Sequence, residues 1–220
     1  MSTPETNLAG SSQLMLEAAE WRLLGLLFER PVEGWAEQVK TIAEEIGDPQ
    51  LRAAATAALS QASLALYDST FGPGGPAAPR EVSYRKTLEA GSFIAELQAF
   101  YDAFGYHPSG EETPDHLATQ LGFLSYLRLK QLYAHGRSEA DRVSTASDAA
   151  KHMMDEHLAN IAGPIARSLQ RSAIDYLSLA ATALLRRVGP CRTQRAVESL
   201  RVLTPDDESD LSCSSECPQD

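Results

Sequence analysis

Cysteine is scarce in this chain of 220 residues, and all three cysteines, Cys191, Cys213 and Cys217, fall in the last thirty positions. An odd number of cysteines near one end does not form the framework of a disulfide-stapled secreted domain. The first 13 residues contain neither a basic nor an apolar segment, and no run approaches the roughly 18 apolar residues of a membrane span. We therefore expect a cytoplasmic protein without stable membrane insertion.

Basic residues are also in short supply, since 19 Lys and Arg face 30 Asp and Glu, for a net charge of −11. Nucleic acid is excluded as the expected partner, because its binding needs clustered cations that displace counterions from phosphates. Catalytic motifs are missing as well. No His has a Glu three residues before it, and neither His-Glu-x-x-His nor a Walker glycine loop occurs. None of these motifs therefore offers a scaffold for catalysis.

Apolar residues recur at helical spacing along most of the chain, whereas the alternation that marks strands is missing. With 43% hydrophobic residues, a chain of this length buries one well-filled core. We therefore predict an all-α, single-domain helical bundle over residues 13–203, preceded by a flexible N-terminus at residues 1–12. Ser12 is placed to cap the first helix, and Pro31 follows its end.

Start and stop signals delimit the later helices. Asp48 followed by Pro49 is a cap with proline at the first helical position, and it opens a helix that runs toward Tyr67. Gly189-Pro190 closes the last core helix, which begins near Ile174. Apolar rows mark the other predicted helices: Trp35, Val39, Ile42 and Ile46; Phe93, Leu97, Phe100 and Phe104; Leu117, Leu121 and Leu124; Met154, Leu158, Ile161, Ile165 and Leu169, bent at Pro164.

Loops and the chain terminus interrupt this pattern. Residues 71–80 hold three Gly and three Pro and predict a flexible loop. Residues 105–113 form a second predicted loop, and the polar residues 137–147 a linker between helices. After the last core helix, residues 191–203 fit a weaker, Arg-bearing helix. Residues 204–220 are acidic and have the composition of a disordered tail.

Asp115 and His116 are expected in the first turn of the helix that Thr113-Pro114 begins. Unpaired amides and the positive end of the helix dipole lie in that turn, so both side chains are candidates for a binding site. The alternative is that Asp115 caps the helix while His116 packs under the preceding loop.

His152 and His157 flank a cluster that fits two interpretations. One is a metal site; the other is a solvated helix face whose Met154 and Leu158 enter the core. Together with His116, these histidines are the candidate site of an alternative function, a metal-dependent helical enzyme. A further alternative is a structural subunit of a redox complex.

Four motifs, in order, resemble those of one known family. Glu112-Thr113-Pro114-Asp115-His116-Leu117 resembles the E-x-P-D-H-L signature of the TorD/DmsD/NarJ family of molybdoenzyme maturation chaperones. Tyr67 with Phe71-Gly72-Pro73, then Glu81-Val82-Ser83-Tyr84, then Asp155-Glu156-His157-Leu158 resemble three further elements of that family, and the similarity spans roughly residues 14–188. The chain departs from the pattern at Arg80 and at residues 159–161, where many members carry other residues.

The resemblance implies an all-α cytoplasmic chaperone. Such a protein binds the twin-arginine signal peptide and the body of a molybdenum-containing catalytic subunit, assists insertion of the molybdenum cofactor and prevents premature export. The client is expected to be a type II dimethylsulfoxide-reductase-like enzyme. The molybdopterin cofactor is handled by the client, and none is bound stably by the chaperone. We expect a monomer, with a dimer formed by helix exchange as the alternative.

The binding site implied by this resemblance places carboxylates for the two arginines beside an apolar groove. Glu111 adds to the carboxylates of the signature, and Trp35 and Leu64 add to the apolar lining. The loop 71–80 is either a mobile hinge over the groove or a plain surface connector. The expected site residues are Tyr67, Phe71, Glu81, Ser83, Tyr84, Glu112, Pro114, Asp115, His116, Phe123 and His157.

Overall fold

A computed structural model describes residues 4–85, 89–108 and 112–189, and all regular elements in these ranges are helical apart from one isolated β-bridge. The all-α prediction is therefore confirmed. A 3-10 helix, Glu81–Tyr84, precedes α5, and a π-helix, Met153–Leu158, joins α7 to α8. The α-helices are α1 (Pro4–Phe28), α2 (Trp35–Glu45), α3 (Pro49–Gln61), α4 (Leu64–Phe71), α5 (Ala90–Ala103), α6 (Leu117–Gly136), α7 (Ala140–His152), α8 (Ala159–Arg171) and α9 (Asp175–Val188).

Helices α1 and α6 form the central pair of the bundle and share its largest helix interface. Gly25 lies in this interface, where an added Cβ would make an ordinary contact of 3.5 Å with the Ala118 carbonyl oxygen. Across the same interface the buried Ser125 hydroxyl donates to the Ala18 carbonyl, at 2.8 Å. Helix α7 also packs on α6, while α9 packs against α3 and α8.

The first helix begins earlier than its sequence signals predict. The cap prediction at Ser12 is wrong: α1 starts at Pro4, so residues 4–12 belong to the helix rather than to a separate terminus. Proline is tolerated in the first turn of a helix, where its missing N–H is no loss. Packing on α6 supports the extension, because the Ser11 Oγ lies 3.2 Å from the His135 Nδ1.

The cap at Asp48 is confirmed, because its side chain accepts hydrogen bonds from the N–H groups of Gln50 and Leu51. The helix that it opens does not continue to Tyr67, however. Helix α3 ends at Gln61, and Ser63 caps the separate helix α4 by accepting from the Leu66 N–H, at 3.2 Å. A serine side chain that competes for backbone N–H groups favours such a new start over continuation.

The predicted linker 137–147 is mostly helix, because α7 already begins at Ala140. Alanine supplies the buried contacts of α7, at Ala146, Ala149 and Ala150, so a polar sequence still packs closely on α6. The stop after the last core helix is confirmed: α9 ends at Val188, and Gly189 adopts φ of 76°.

Two terminal predictions lie outside the described residues. They are the Arg-bearing helix at 191–203 and the acidic tail at 204–220. In the part of the chain that the structure describes, no helix combines the length and the apolar character required to cross a bilayer.

Asp48 connects the start of α3 to the end of α9 through ion pairs, and these ion pairs predict a pH-dependent contribution to stability. Its carboxylate binds Arg187 at 2.6 Å and also pairs with Arg186. Burial alone would raise the pKa of Asp48, but the hydrogen bonds from Arg187 and Leu51 and the two arginine charges lower it overall. Its stabilising contribution is therefore present above pH about 4 and is lost as the pH falls further.

We expect Asp48→Asn to lower the free energy of unfolding by about 1–3 kcal/mol, because the charge-assisted bonds to arginine weaken while the cap remains. Asp48→Ala removes the cap as well and loses about 1 kcal/mol more. Urea unfolding followed by circular dichroism measures both changes. The control is Asp68→Asn, whose exposed pair with Arg30 contributes about 0–1 kcal/mol. Equal losses for Asp48→Asn and Asp68→Asn would contradict the assignment.

Candidate functional site

The Gly/Pro loop at 72–80 is tied to the structure on both sides. The Ala77 N–H donates to the Thr70 carbonyl at 3.2 Å, and the Pro79 carbonyl accepts from the Leu117 N–H at 2.8 Å. Gly75 is required here, because a Cβ would lie 2.3 Å from the Thr70 carbonyl oxygen. Motion of this loop as a hinge would therefore have to break hydrogen bonds to α4 and to the start of α6.

Asp115 fastens the end of this loop to the turn before α6. Its side chain has no exposed surface and accepts from the Arg80 Nε at 3.0 and 3.2 Å, from the Thr113 hydroxyl at 2.7 Å and from the Val82 N–H at 3.3 Å. The expectation that Asp115 lies in the first helical turn is wrong. Helix α6 begins two residues later, and its N-cap is His116.

His116 is buried, and its two ring nitrogens have different neighbours. The Nδ1 accepts from the Ala118 N–H at 3.2 Å, so the neutral ring carries its proton on Nε2, which lies 3.2 Å from the Tyr67 hydroxyl. Burial lowers the pKa of His116, against the opposing charges of Glu112 and Asp115. The neutral ring therefore caps α6 and donates toward Tyr67.

Tyr67 links His116 to Glu112 through hydrogen bonds. Its hydroxyl donates to the Glu112 Oε1 at 2.8 Å, and burial together with this bond raises the pKa of Tyr67. The second carboxylate oxygen of Glu112 lies 3.6 Å from the His116 Nε2. Glu112 is about one-third exposed, so it is the member of this chain that meets solvent.

Glu81 is the second buried carboxylate of the site, and it has no exposed surface. Its oxygens accept from the Arg85 Nε and the Gln120 Nε2, both at 2.6 Å, and lie 3.1 Å from the His157 Nδ1. The Arg85 guanidinium also lies 4.7 Å from the centre of the Phe93 ring. Glu81 thus joins the 3-10 helix to α6 and to the π-helix.

Most aromatic residues expected to line a groove are core residues instead. Phe71 packs against Phe28, and Phe123 has no exposed surface and lies 4.7 Å from the Tyr101 ring. Trp35 is buried and donates from its indole nitrogen to the Leu26 carbonyl.

The remaining expected residues serve different purposes. The Tyr84 hydroxyl donates to the Ala78 carbonyl of the loop, and the Pro114 carbonyl accepts from the Tyr101 hydroxyl. Ser83 is exposed and Leu64 is half-exposed. Glu111 lies outside the described residues.

Glu112 stands at the rim of an open cleft of about 310 Å³, which we name the α1–α6 cleft. Glu29 supplies a second carboxylate, but it is paired with Arg22 at 2.5 Å. Within the described residues, the ion pairs of Glu112 are limited to His116, which its lowered pKa keeps neutral at pH 7. The cleft is lined by Arg22, Glu29, Tyr106, His107, Pro108, Glu112, Ala118, Thr119, Gly122, Ser125, Tyr126 and Leu129.

A larger, more apolar groove of about 640 Å³ adjoins the cleft, and the two share Tyr126 and Leu129. We name it the α6–α7 groove. Leu129 and Tyr133 are 43% and 64% exposed, one helical turn apart on α6. Sequence reasoning missed this groove, although apolar residues outside the buried stripe of α6 were a usable signal. It is lined by Ala103, Phe104, Tyr126, Leu129, Lys130, Tyr133, Ala134, Arg142, Thr145 and Ala146.

The three histidines of the alternative metal site have different contacts and do not face one common point. The rings of His152 and His157 are 5.6 Å apart, but His157 faces Glu81 while His116 caps α6. Across residues 4–85, 89–108 and 112–189, no three His, Cys, Asp or Glu side chains are grouped as metal ligands.

A helical bundle with a carboxylate at the rim of an open, partly apolar cleft is suited to binding a cationic segment of another chain. The family described as nitrate reductase delta subunit matches residues 30–167, and the chain belongs to this family, whose members are maturation chaperones of molybdoenzymes. A comparison with curated proteins found no match.

The neutral His116 predicts a pH dependence of stability. Because its pKa is lowered on folding, its stabilising contribution is complete above the ordinary histidine pKa of about 6.5 and is lost as the pH falls below that value. Asparagine is also an effective N-cap but does not titrate. We therefore expect the wild type to lose more unfolding free energy between pH about 7.5 and about 5 than His116→Asn does.

Urea unfolding at the two pH values measures this difference. His107→Asn is the matched control, since the His107 side chain is 78% exposed, and it should show the pH dependence of the wild type. If His116→Asn and the wild type lose the same free energy, His116 is not held in the neutral form.

Proposed function

We propose that this protein is a cytoplasmic chaperone that binds the twin-arginine signal peptide of a molybdoenzyme catalytic subunit at the α1–α6 cleft. The observation that carries the proposal is Glu112, a rim carboxylate whose ionic partner among the described residues is a buried, neutral histidine. A partner's cation can complete this pair without first displacing a resident arginine.

Arginine fits this carboxylate better than lysine does. The Tyr67 hydroxyl occupies one oxygen of Glu112, and the planar guanidinium can still donate to the remaining acceptor positions. Glu29, on the same cleft, is available to a second arginine only in exchange for Arg22. The net charge of −11 also favours encounter with a cationic peptide.

The α6–α7 groove is placed to receive the apolar part of the same signal peptide. It opens directly from the cleft at Tyr126 and Leu129, and its exposed Tyr133 and half-buried Phe104 offer apolar surface. A signal peptide carries its apolar segment next to its basic residues. The adjacent cleft and groove therefore suit the adjacent basic and apolar parts of the peptide.

The buried residues of the signature position this site rather than contact the ligand. Asp115, His116 and Glu81 are at most 1% exposed, so a peptide in the cleft does not reach them. His116 and Tyr67 orient Glu112, while Asp115 and Glu81 hold the loop and the turn in place.

The chaperone acts by occupancy and requires no bond-making residue of its own. Holding the signal peptide delays export while the client receives its molybdenum cofactor, and release follows when the client is complete. The cofactor stays with the client in this scheme.

The first test compares Glu112→Gln with the wild type in titrations of a peptide that contains the arginine pair and the apolar segment. We expect affinity to fall about tenfold or more, because a charge-assisted hydrogen bond is lost from a partly buried site. Replacing both peptide arginines by lysine should weaken binding to the wild type but have little further effect on Glu112→Gln. The control is Glu96→Gln, an exposed position on α5.

Unchanged affinity in Glu112→Gln would reject this carboxylate as the arginine site. The same conclusion would follow if replacing the peptide arginines by lysine weakened binding to Glu112→Gln as much as it weakens binding to the wild type. Fluorescence anisotropy of a labelled peptide gives both affinities, and circular dichroism verifies that the variants are folded.

The second test addresses the α6–α7 groove. We expect Leu129→Asp to weaken binding of the complete peptide, because a carboxylate in the groove opposes burial of apolar side chains. A shortened peptide that ends after the arginine pair should bind the variant and the wild type equally. Equal losses for both peptides would show that Leu129→Asp disturbs the cleft itself. Calorimetric titration of the two peptides distinguishes these outcomes.

A further inference from the structure

The described part of the chain ends at an anchored position. Arg187, in the last turn of α9, binds the Glu20 carboxylate of α1 at 3.0 Å and the Asp48 carboxylate at 2.6 Å. Gly189 follows with φ of 76° and ends the helix. These ion pairs fix where the following residues leave α9, next to α1 and to the connection between α2 and α3.

An apolar groove opens beside this exit point, and we name it the α1–α2 groove. Its volume is about 290 Å³, and Met15 and Leu16 on its α1 side are 52% and 39% exposed. Two of its lining residues adjoin the anchors: Ala19 directly precedes Glu20, and Glu45 stands three positions before Asp48. The groove is lined by Met15, Leu16, Ala19, Thr41, Ile42 and Glu45.

Residues 191–203 have the composition that this groove requires. Apolar side chains recur there at helical spacing: Ala196, Val197, Leu200 and Leu203. Three arginines, Arg192, Arg195 and Arg201, accompany a single acidic residue, Glu198. Helix α2 has the opposite balance, with Glu37, Glu44 and Glu45 against Lys40.

We propose that residues 191–203 fold back after Gly189-Pro190 and dock in the α1–α2 groove, with Leu200 and Leu203 covering Leu16 and Ile42. As a helix, thirteen residues extend about 20 Å, slightly more than the roughly 16 Å of α2. The short connection gives the segment a high effective concentration at the groove, which a separate partner lacks. Residues 204–220 are a poorer occupant, because their acidic side chains would face Glu45.

Disulfide trapping in the full chain tests this contact. With Cys191, Cys213 and Cys217 replaced by serine, Leu16→Cys combined with Leu200→Cys should form an intramolecular disulfide under mild oxidation. The control pair combines Leu200→Cys with Leu64→Cys, because Leu64 is half-exposed but lies near the opposite end of α9, where Gln61 binds Asp175. This pair should link several times more slowly. Non-reducing electrophoresis and mass spectrometry identify the linked species.

Three results would overturn the proposal: linkage only between two chains, equal linkage of both pairs, or no linkage in either. A second measurement is the labelling rate of Leu16→Cys by a maleimide in the same serine background. Adding Leu200→Asp and Leu203→Asp should raise that rate severalfold by releasing the segment, with a loss of helicity no larger than the thirteen released residues account for. An unchanged rate would show that the groove is not covered by this segment. The contact is independent of the signal-peptide site, so peptide affinity is not part of the test.

Discussion

Two carboxylates without exposed surface, Glu81 and Asp115, hold together the end of the bundle that carries the candidate site. Burying a charged group is strongly unfavourable unless it is paired and hydrogen-bonded, and both groups meet that condition. Glu81 gathers Arg85, Gln120 and His157, while Asp115 gathers Arg80, Thr113 and the Val82 amide. Three chain segments distant in sequence, residues 80–85, residues 113–120 and the π-helix at His157, therefore meet beside the cleft and fix its shape.

This arrangement explains how residues that form a recognisable signature can be essential without touching a ligand. In the sequence Glu112 is four residues before His116 and five before the start of α6, yet it alone of the signature carboxylates reaches the cleft rim. His116 binds the Tyr67 hydroxyl, which in turn donates to Glu112 and so orients its carboxylate. The residues that shape the site are therefore distinct from the carboxylate that the proposed function assigns to the client.

The fold class and several helix boundaries were predictable, because apolar periodicity and caps such as Asp48 act locally. The start of α6 was misplaced because Thr113-Pro114 is a good local start signal, whereas Thr113 to His116 form a separate hydrogen-bonded turn and α6 begins only after the extended N-cap His116. Helix α7 was missed because alanines, which pack well but carry little hydropathy, form its buried face. The α6–α7 groove was missed although Leu129 and Tyr133 were a signal for it, because its shape also depends on which face of α6 the neighbouring helices leave uncovered.

The π-helix at Met153–Leu158 changes the direction in which the side chains of α8 point relative to those of α7. One additional residue in a helical turn rotates everything that follows by about 100° about the helix axis. His157 can therefore face the Glu81 carboxylate while Ile161, Ile165 and Leu169 still point into the interior. If one residue were removed from this turn, either His157 would turn away from Glu81 or the apolar side chains of α8 would turn out of the core. The additional residue therefore allows a polar contact and an apolar face to lie on one continuous helix.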